Sequence, residues 1–170
     1  MKHLINKIIK EFKKTDARIK YVELANLHLT LKFFGDIDTE GLGLLEEAIA
    51  NVVSQFDSFK IRIAGCGAFP NNKRIKVIWI GINEDSIIRD LHDKLDKEFV
   101  RLGFDKDKRF STHLTIGRMK SAKGKDKVKS TIEEFSDVEI GEMEVDRIVL
   151  KKSTLTPAGP IYEDLKIFEL

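Results

Sequence analysis

A four-residue motif occurs twice in this chain and constrains its fold more than any other feature. Residues 28–31 are His-Leu-Thr-Leu, and residues 113–116 are His-Leu-Thr-Ile, half a chain length further along a sequence of 170 residues. Alternate side chains of a β-strand point to opposite faces of a sheet. Each motif is therefore predicted to present His and Thr on one face of a strand and its apolar residues to the core. If the two halves are related by an approximate twofold, the two polar faces can meet across a cleft.

The hydrophobic pattern of the rest of the chain predicts a mixture of helices and strands. Apolar residues recur at helical spacing in three segments, residues 4–12, 42–56 and 87–102. Strand patterns occur in seven segments, residues 19–22, 27–34, 59–69, 75–82, 111–117, 144–153 and 162–168. Pairs of strands separated by helices indicate an α+β domain rather than a regularly alternating parallel sheet.

The connections between these segments contain two recognisable signals. Residues 70–73, Pro-Asn-Asn-Lys, predict a hairpin-type turn between two strands. The polar, basic segment 120–129 predicts an exposed loop that leads into a short helix. Since no Pro- or Ser-rich linker divides the sequence, we expect residues 1–170 to form a single domain, with two lobes within it.

The composition excludes several other classes of protein. Hydrophobic residues make up 42% of the chain and charged residues 34%, as in a well-solvated globular protein, and the net charge of +2 does not by itself indicate a nucleic-acid partner. The lone cysteine, Cys66, excludes an internal disulfide and a cysteine-based zinc site, and its apolar neighbours predict a buried, reduced thiol. No apolar stretch approaches the ~20 residues of a membrane span. We expect a cytoplasmic protein.

Two histidines and two threonines in this pattern suit the opening of a 2′,3′-cyclic phosphate. One imidazole can take a proton from the attacking water while the other gives a proton to the departing 3′ oxygen, because the ordinary pKa of imidazole, about 6.5, makes both protonation states accessible at neutral pH. Each threonine hydroxyl can donate a hydrogen bond to a non-bridging phosphate oxygen. This chemistry needs no metal or cofactor. The residues alone leave open which histidine is the acid and which is the base.

At these motifs the chain resembles the 2H phosphoesterase superfamily. More closely, it resembles the bacterial and archaeal RNA 2′,3′-cyclic phosphodiesterases, also called 2′-5′ RNA ligases. The resemblance extends over nearly the whole length, in four strings: NLHLTLKFFGDI at 26–37, GAFPNNKRIKVIWIGI at 67–82, FSTHLTIGRMK at 110–120 and LKKSTLTPAGPIYEDLKIFEL at 150–170. Family members generally begin with a short apolar strand. Here Met1 opens directly into the first helical pattern, so we expect that strand to be missing.

The resemblance implies a bilobal α+β fold in which two antiparallel sheets face a central cleft and the helices lie outside. It implies that His28 donates a proton to the leaving 3′ oxygen and that His113 accepts one from water. Thr30 and Thr115 would hold phosphate oxygens. The remaining substrate contacts would come from Arg118, which would neutralise phosphate charge, and from Phe110, a platform for the base.

The same resemblance implies the reaction and its partners. The substrate would be an RNA with a 2′,3′-cyclic phosphate end, such as a tRNA fragment, and the product a 2′-phosphomonoester. The reverse reaction would join RNA ends through a 2′-5′ linkage. We expect a monomer that requires no cofactor or metal.

The remaining histidines, the tryptophan and one lysine have weaker claims to a role in the site. His3 and His92 are expected at the surface, and Trp79 is expected in the core rather than stacked on a base. Lys32, on the same predicted face as His28, is a weaker candidate for a phosphate contact.

Two other functions remain open. One is a cyclic phosphodiesterase for small molecules, such as ADP-ribose 1″,2″-cyclic phosphate or 2′-5′ oligoadenylate, and the other is a module that binds a nucleotide or RNA end without turnover.

Overall fold

The computed structural model describes residues 1–83, 85–157 and 159–170. Over these residues the helices are α1 (Lys2–Lys13), α2 (Thr39–Val53), α3 (Ser86–Arg101) and α4 (Lys125–Glu134), with a short 3₁₀ helix at Leu24–Asn26. The strands are β1 (Ile19–Tyr21), β2 (Phe59–Asn71), β3 (Arg74–Asn83), β4 (His113–Met119), β5 (Glu139–Val145), β6 (Arg147–Thr156) and β7 (Gly159–Glu169). Among the described residues, no helix combines the length and apolar character that crossing a membrane requires. The chain divides into two compact units.

Unit 1 consists of Met1–Leu31, Ile61–Asp85 and Ser111–Met143. Its sheet has the strand order β1-β4-β3-β2-β5, and the pairs β1–β4, β4–β3 and β3–β2 are antiparallel. Alternate residues of the central strands are buried, as the strand pattern requires; Ile78 and Ile80 of β3 are both 0% exposed. Helices α1 and α4 also bury one apolar side each, through the residues Ile5, Ile8, Ile9, Phe12, Val128 and Ile132.

Unit 2 consists of Lys32–Lys60, Ser86–Phe110 and Glu144–Leu170. Strands β6 and β7 form an antiparallel hairpin, and helix α2 contacts both α3 and β7. The carboxylate of Asp38 accepts a hydrogen bond from the backbone N–H of Gly41 (2.8 Å) and so caps the first turn of α2. The apolar positions of α2 then fall on one buried side, which includes Leu45 and Ile49.

These elements confirm the α+β class with two sheets and most of the predicted segments. The hairpin expected at residues 70–73 joins β2 to β3, and the side-chain oxygen of Asn71 accepts hydrogen bonds from the backbone N–H groups of Lys73 and Arg74, both at 3.0 Å. His3 is exposed and Cys66 is buried, as predicted.

The prediction of a continuous strand over residues 27–34 is wrong, because this segment pairs at one point only, where Leu29 forms an isolated antiparallel bridge with Leu114 of β4. Strand β1 already occupies the adjoining part of the same β4 edge, where Tyr21 pairs with Gly117 and the N–H of Val22 donates to the carbonyl of Ile116 (3.0 Å).

The prediction of a single strand over residues 144–153 is also wrong. The chain forms β5 from Glu139, leaves the strand conformation at Asp146, and then forms β6. β5 belongs to the five-stranded sheet and β6 to the β6–β7 hairpin, so the hydrogen-bonding partners change at this point. The apolar pattern runs through both strands and gives no sign of a change of sheet.

Candidate active site

The two repeated motifs lie next to each other in unit 1. Leu29 of the first motif and Leu114 of the second form the isolated bridge at the edge of β4. Leu114 is 4% exposed and belongs to the core. The residues on either side of each leucine point to the opposite face, where all of them are half-buried: His28, Thr30, His113 and Thr115.

The antiparallel bridge sets the local register of the two motifs, with Leu29 opposite Leu114. In ordinary antiparallel geometry, one step in either direction from such a pair would bring His28 opposite Thr115 and Thr30 opposite His113. The two histidines would then be diagonal neighbours, about 7–8 Å apart between Cα atoms. Such a spacing would leave room for a phosphate between two imidazole rings.

The expectation that the two polar faces meet across a cleft depends on an approximate twofold relationship between the two halves of the chain. Both motifs belong to unit 1, where their backbones meet side by side at the Leu29–Leu114 bridge. A backbone bridge therefore aligns the two copies directly.

Each motif histidine is oriented by its own backbone. Nδ1 of His28 lies 2.7 Å from the carbonyl oxygen of Asn26, and Nδ1 of His113 lies 2.7 Å from the carbonyl oxygen of Ser111. A carbonyl oxygen only accepts, so in both rings Nδ1 carries the proton and donates it. In a neutral ring, Nε2 is then the nitrogen without a proton.

A β-bulge places Arg118 on the same face of β4 as His113 and Thr115. Trp79 of β3 pairs with Thr115 of β4, but its neighbour Ile78 pairs with Gly117, so β4 contains one extra residue. Val77, which shares a face with Trp79, pairs with Arg118. Without the bulge, Arg118 and Thr115, three positions apart, would point to opposite faces; with it they share one. The Arg118 side chain is exposed, and no described residue forms an ion pair with it.

Trp79 lies on this face rather than in the core, so its predicted position is wrong. Its indole ring rests against Gly67 of β2, where an added Cβ would lie 2.2 Å from the ring atom Cζ2. Only glycine permits so close an approach. Since both faces of β3 are apolar at this point, alternation could not show which one is the core.

Phe69 was not singled out from the sequence, yet it contacts a motif histidine. Its ring meets the ring of His113 edge to face, with centroids 4.9 Å apart and an interplanar angle of 85°. Phe69 also contacts Trp79, with ring centroids 5.4 Å apart. The two aromatic side chains form an apolar wall beside His113, and no signal in a single sequence points to it.

Three other candidates lie in unit 2. Lys32 is not available for a phosphate, because its ammonium is buried against Asp96, 2.7 Å away. His92 is 5% exposed rather than at the surface, since its Nε2 lies 3.1 Å from a carboxylate oxygen of Asp107. Phe110 stacks on the His92 ring, with centroids 3.8 Å apart and planes at 4°. A role for Phe110 as a platform for the base stays a prediction.

The cluster in unit 2 includes a set of side chains that could hold a metal ion. One nitrogen of His92 and one oxygen each of Asp96 and Asp107 lie within 4.8 Å of one another. However, the ammonium of Lys32 lies 2.7 Å from Asp96 Oδ1 and 3.1 Å from Asp107 Oδ1. It already supplies the positive charge that these carboxylates need.

Comparison with known proteins shows the family of this chain. The sequence pattern of the 2′-5′ RNA ligase superfamily matches residues 2–155. The chain belongs to the 2′-5′ RNA ligase superfamily.

Among proteins similar to this superfamily member is an RNA 2′,3′-cyclic phosphodiesterase of Methanothermobacter thermautotrophicus, 42% identical over 98% of this chain and 90% of the relative. A Methanocaldococcus jannaschii protein of the same name is 43% identical over 87% of this chain and 83% of its own length. A crystal structure from Thermus thermophilus has a TM-score of 0.82 at 25% identity and covers 99% of this chain and 91% of that one. E. coli LigT complexed with 3′-AMP shares the fold, with a TM-score of 0.69 at 21% identity over 100% and 92% of the two chains.

Proposed function

We propose that this chain, an enzyme acting on phosphodiester bonds, hydrolyses 2′,3′-cyclic phosphate ends of RNA to 2′-phosphomonoesters. The names of its similar relatives support the substrate. The observation that supports the mechanism is the bridge between Leu29 and Leu114, which brings the two copies of the motif side by side. Two proton-transfer groups and two hydroxyl donors then surround a single phosphate.

The proposed reaction adds one water across the bond between phosphorus and the 3′ oxygen. Nε2 of His113 takes a proton from water as the water oxygen attacks phosphorus. The bond to the 3′ oxygen breaks in line with this attack, and Nε2 of His28 gives its proton to that oxygen. The 2′ oxygen keeps the phosphate. After one turnover the protonation states are exchanged, and proton transfer with solvent restores them.

The neighbouring side chains bind the charge that develops on the phosphate. The hydroxyls of Thr30 and Thr115 donate hydrogen bonds to the non-bridging oxygens, which become more negative in the transition state. The guanidinium of Arg118, on the same face because of the β4 bulge, neutralises the dianionic product. A 5′-hydroxyl of a second RNA in place of water would yield a 2′-5′ phosphodiester by the same proton transfers.

The decisive experiment uses an oligonucleotide that ends in a 2′,3′-cyclic phosphate. The purified chain should convert it to a terminal monoester, and ³¹P NMR should place the phosphate on the 2′ oxygen. His28→Ala and His113→Ala should each lose about 10²–10⁴-fold in rate, while His3→Ala, the exposed control in α1, should keep full activity. The activity should survive a chelator, because both proton-transfer groups are imidazoles.

Three outcomes would contradict parts of this proposal. A 3′-phosphate product would reverse the choice of leaving group. Turnover of ADP-ribose 1″,2″-cyclic phosphate or 2′-5′ oligoadenylate, without turnover of the oligonucleotide, would refute RNA as the substrate. Binding of the oligonucleotide without any hydrolysis would show a binding module rather than an enzyme of this specificity.

A further inference from the structure

The carbonyl oxygen that orients His113 lies just outside the sheet. Ser111 supplies this carbonyl and precedes β4, whose first residue is His113. Among the described residues, the last register pair of β3 and β4 joins Gly81 to His113, so the ladder ends before it reaches Thr112 and Ser111. Another contact has to hold the peptide between these two residues if the acceptor of Nδ1 is to keep its place.

The Thr112 side chain makes such a contact, which takes no part in the proton transfers just described. Its hydroxyl donates a hydrogen bond to Oδ2 of Asp85. Asp85 lies two residues beyond the end of β3, and both residues belong to unit 1. Since Thr112 is only 7% exposed, water competes little for this bond. A hydrogen bond to a charged carboxylate is also stronger than one between neutral groups.

This bond restricts the peptide whose carbonyl accepts from His113. Thr112 is held at its side chain by Asp85 and at its carboxyl end by its link to His113, which is paired with Gly81. The carbonyl of Ser111 and the N–H of Thr112 lie in one peptide plane. Because Thr112 is fixed at two points, that plane has little freedom to rotate, and the carbonyl oxygen stays directed at Nδ1 of His113, 2.7 Å away.

The acceptor of His28 is held in a different way. It is the carbonyl oxygen of Asn26, the last residue of the 3₁₀ helix, and the N–H of Asn26 donates to the carbonyl oxygen of Glu23 (2.9 Å). A local turn thus holds the acceptor of His28, whereas a contact between residues 27 positions apart holds that of His113. Loss of the Thr112 bond should therefore affect one ring and leave the other unchanged.

We propose that the hydrogen bond from Thr112 to Asp85 positions His113 for proton transfer. Both residues act through the Ser111 carbonyl, which keeps the ring proton on Nδ1, and they are positioning residues rather than catalytic ones. The effect on rate rests on the proposed function, but the position of the proton on the His113 ring can be measured without any substrate.

The first test removes the hydroxyl and nearly keeps the shape of the side chain. Thr112→Val should lose about 10–100-fold in kcat with KM nearly unchanged, because a small misplacement of a proton-transfer group slows the reaction without weakening binding. Thr112→Ser keeps a hydroxyl and should recover most of kcat. Thr15→Val is the matched control, since Thr15 is 4% exposed, lies in unit 1 and donates its hydroxyl to the carbonyl of Phe12 (2.6 Å). It should keep the kcat of the parent chain.

The second test combines changes at both ends of the bond. Asp85→Ala should lose kcat to about the same extent as Thr112→Val. The double variant should lose no more than either single variant, because both changes break the same bond. Losses that multiply in the double variant would overturn the proposal, since they would show that the two residues act separately.

The ring nitrogen signals of ¹⁵N-labelled histidine supply a readout that does not depend on turnover. In the parent chain, neutral His28 and His113 should both show a protonated Nδ1. In Thr112→Val, only His113 should shift towards a mixture of tautomers, while His28 keeps its signals as an internal control for folding.

Unchanged His113 signals in Thr112→Val would overturn the proposal, whatever the kinetics, and so would an increase in KM at constant kcat. A loss of kcat in Thr112→Ser or Thr15→Val as large as in Thr112→Val would overturn it too, because the loss would then not follow the bond to Asp85. Should the parent chain fail to hydrolyse cyclic phosphate ends, the proposed function would fail, and the nitrogen signals would still decide whether Thr112 orients His113.

Discussion

His28 and His113 make the same hydrogen bond, in which Nδ1 donates over 2.7 Å to the carbonyl oxygen two residues earlier in the chain. Each ring is thereby anchored on its own stretch of backbone, with Nδ1 as the donor. The two imidazoles share the same anchor, so the anchor by itself does not distinguish an acid from a base. The distinction between acid and base must then come from which of them lies nearer the leaving oxygen and which nearer the water.

The acid and base roles can be separated with a modified leaving group. An analogue with sulfur in place of the 3′ oxygen releases a thiolate, which needs little protonation on departure. His28→Ala should therefore recover most of its lost rate on this analogue, whereas His113→Ala should remain about 10²–10⁴-fold slower than the parent chain. Rates are measured for the parent chain and both variants on the oxygen and sulfur substrates. Recovery of His113→Ala in place of His28→Ala would reverse the assignment.

The role of Arg118 depends on the extra residue in β4 and can be tested by substitution. Hydrogen bonds to charged groups contribute about 1.5–3 kcal/mol, so Arg118→Gln should lower kcat/KM by roughly 10–150-fold. Arg118→Lys keeps the charge but loses the bidentate hydrogen-bonding geometry of a guanidinium. Its kcat/KM should therefore lie between the values for Arg118→Gln and the parent chain. Arg101→Gln, a change at an exposed arginine of α3, is the control. Equal kcat/KM for Arg118→Gln and the parent chain would show that Arg118 does not touch the phosphate.

The sequence predicts the parts of the site that depend on local periodicity. Strand alternation correctly sets His113 and Thr115 on one face of β4 and sends Leu114 to the core, and the two copies of the motif meet at the bridge between Leu29 and Leu114. These are local properties, because the direction of a side chain in an extended segment depends on its position in the strand.

Features that depend on contacts distant in sequence could not be predicted in this way. Lys32 follows the alternation of the first motif but turns to Asp96, 64 positions further along the chain. His92 looks like a surface residue of an amphipathic helix until Asp107 and Phe110 cover it. The bulge that turns Arg118 towards the site is a mismatch between two strands, and one strand alone does not show it.

The ion pair of Lys32 and Asp96 should shape the dependence of stability on pH. Burial alone would raise the pKa of Asp96, but hydrogen bonds from Lys32 and from the Asp107 N–H, with the charges of Lys32 and His92, outweigh it and lower this pKa. Burial alone would lower the pKa of Lys32, but hydrogen bonds to Asp96 and Asp107 and their charges outweigh it and raise this pKa. Each group is thus held in its charged form in the folded chain.

The signs of these two shifts define a window of maximal stability. The contribution of Asp96 is complete above the ordinary carboxyl pKa of about 4 and is lost as the pH falls through its lowered value. The contribution of Lys32 is complete below the ordinary lysine pKa of about 10.4 and is lost as the pH rises through its raised value. Urea unfolding midpoints across this range should decline on both sides. At neutral pH, Asp96→Asn should lower the free energy of unfolding by about 3–5 kcal/mol, because it removes one partner of a buried ion pair. The variant should also show a smaller decline of the urea midpoint at acid pH than the parent chain. If the urea midpoints of Asp96→Asn and the parent chain declined equally as the pH falls, this account would be contradicted.

The thiol of Cys66 should be almost unreactive in the folded chain. Burial raises the pKa of Cys66 to about 12, and the opposing effect of a hydrogen bond from the backbone N–H of Gly67 does not offset it. The thiolate is the reactive form, so at pH 8 its share falls from about a quarter in an ordinary cysteine to the order of 10⁻⁴. Burial of the side chain, 5% exposed, slows the reagent further. The rate of reaction with a disulfide reagent such as DTNB at pH 8 should therefore be at least about 10³-fold slower in the native chain than in urea-unfolded chain. Similar rates in both states would mean that β2 opens far more readily than its packing indicates.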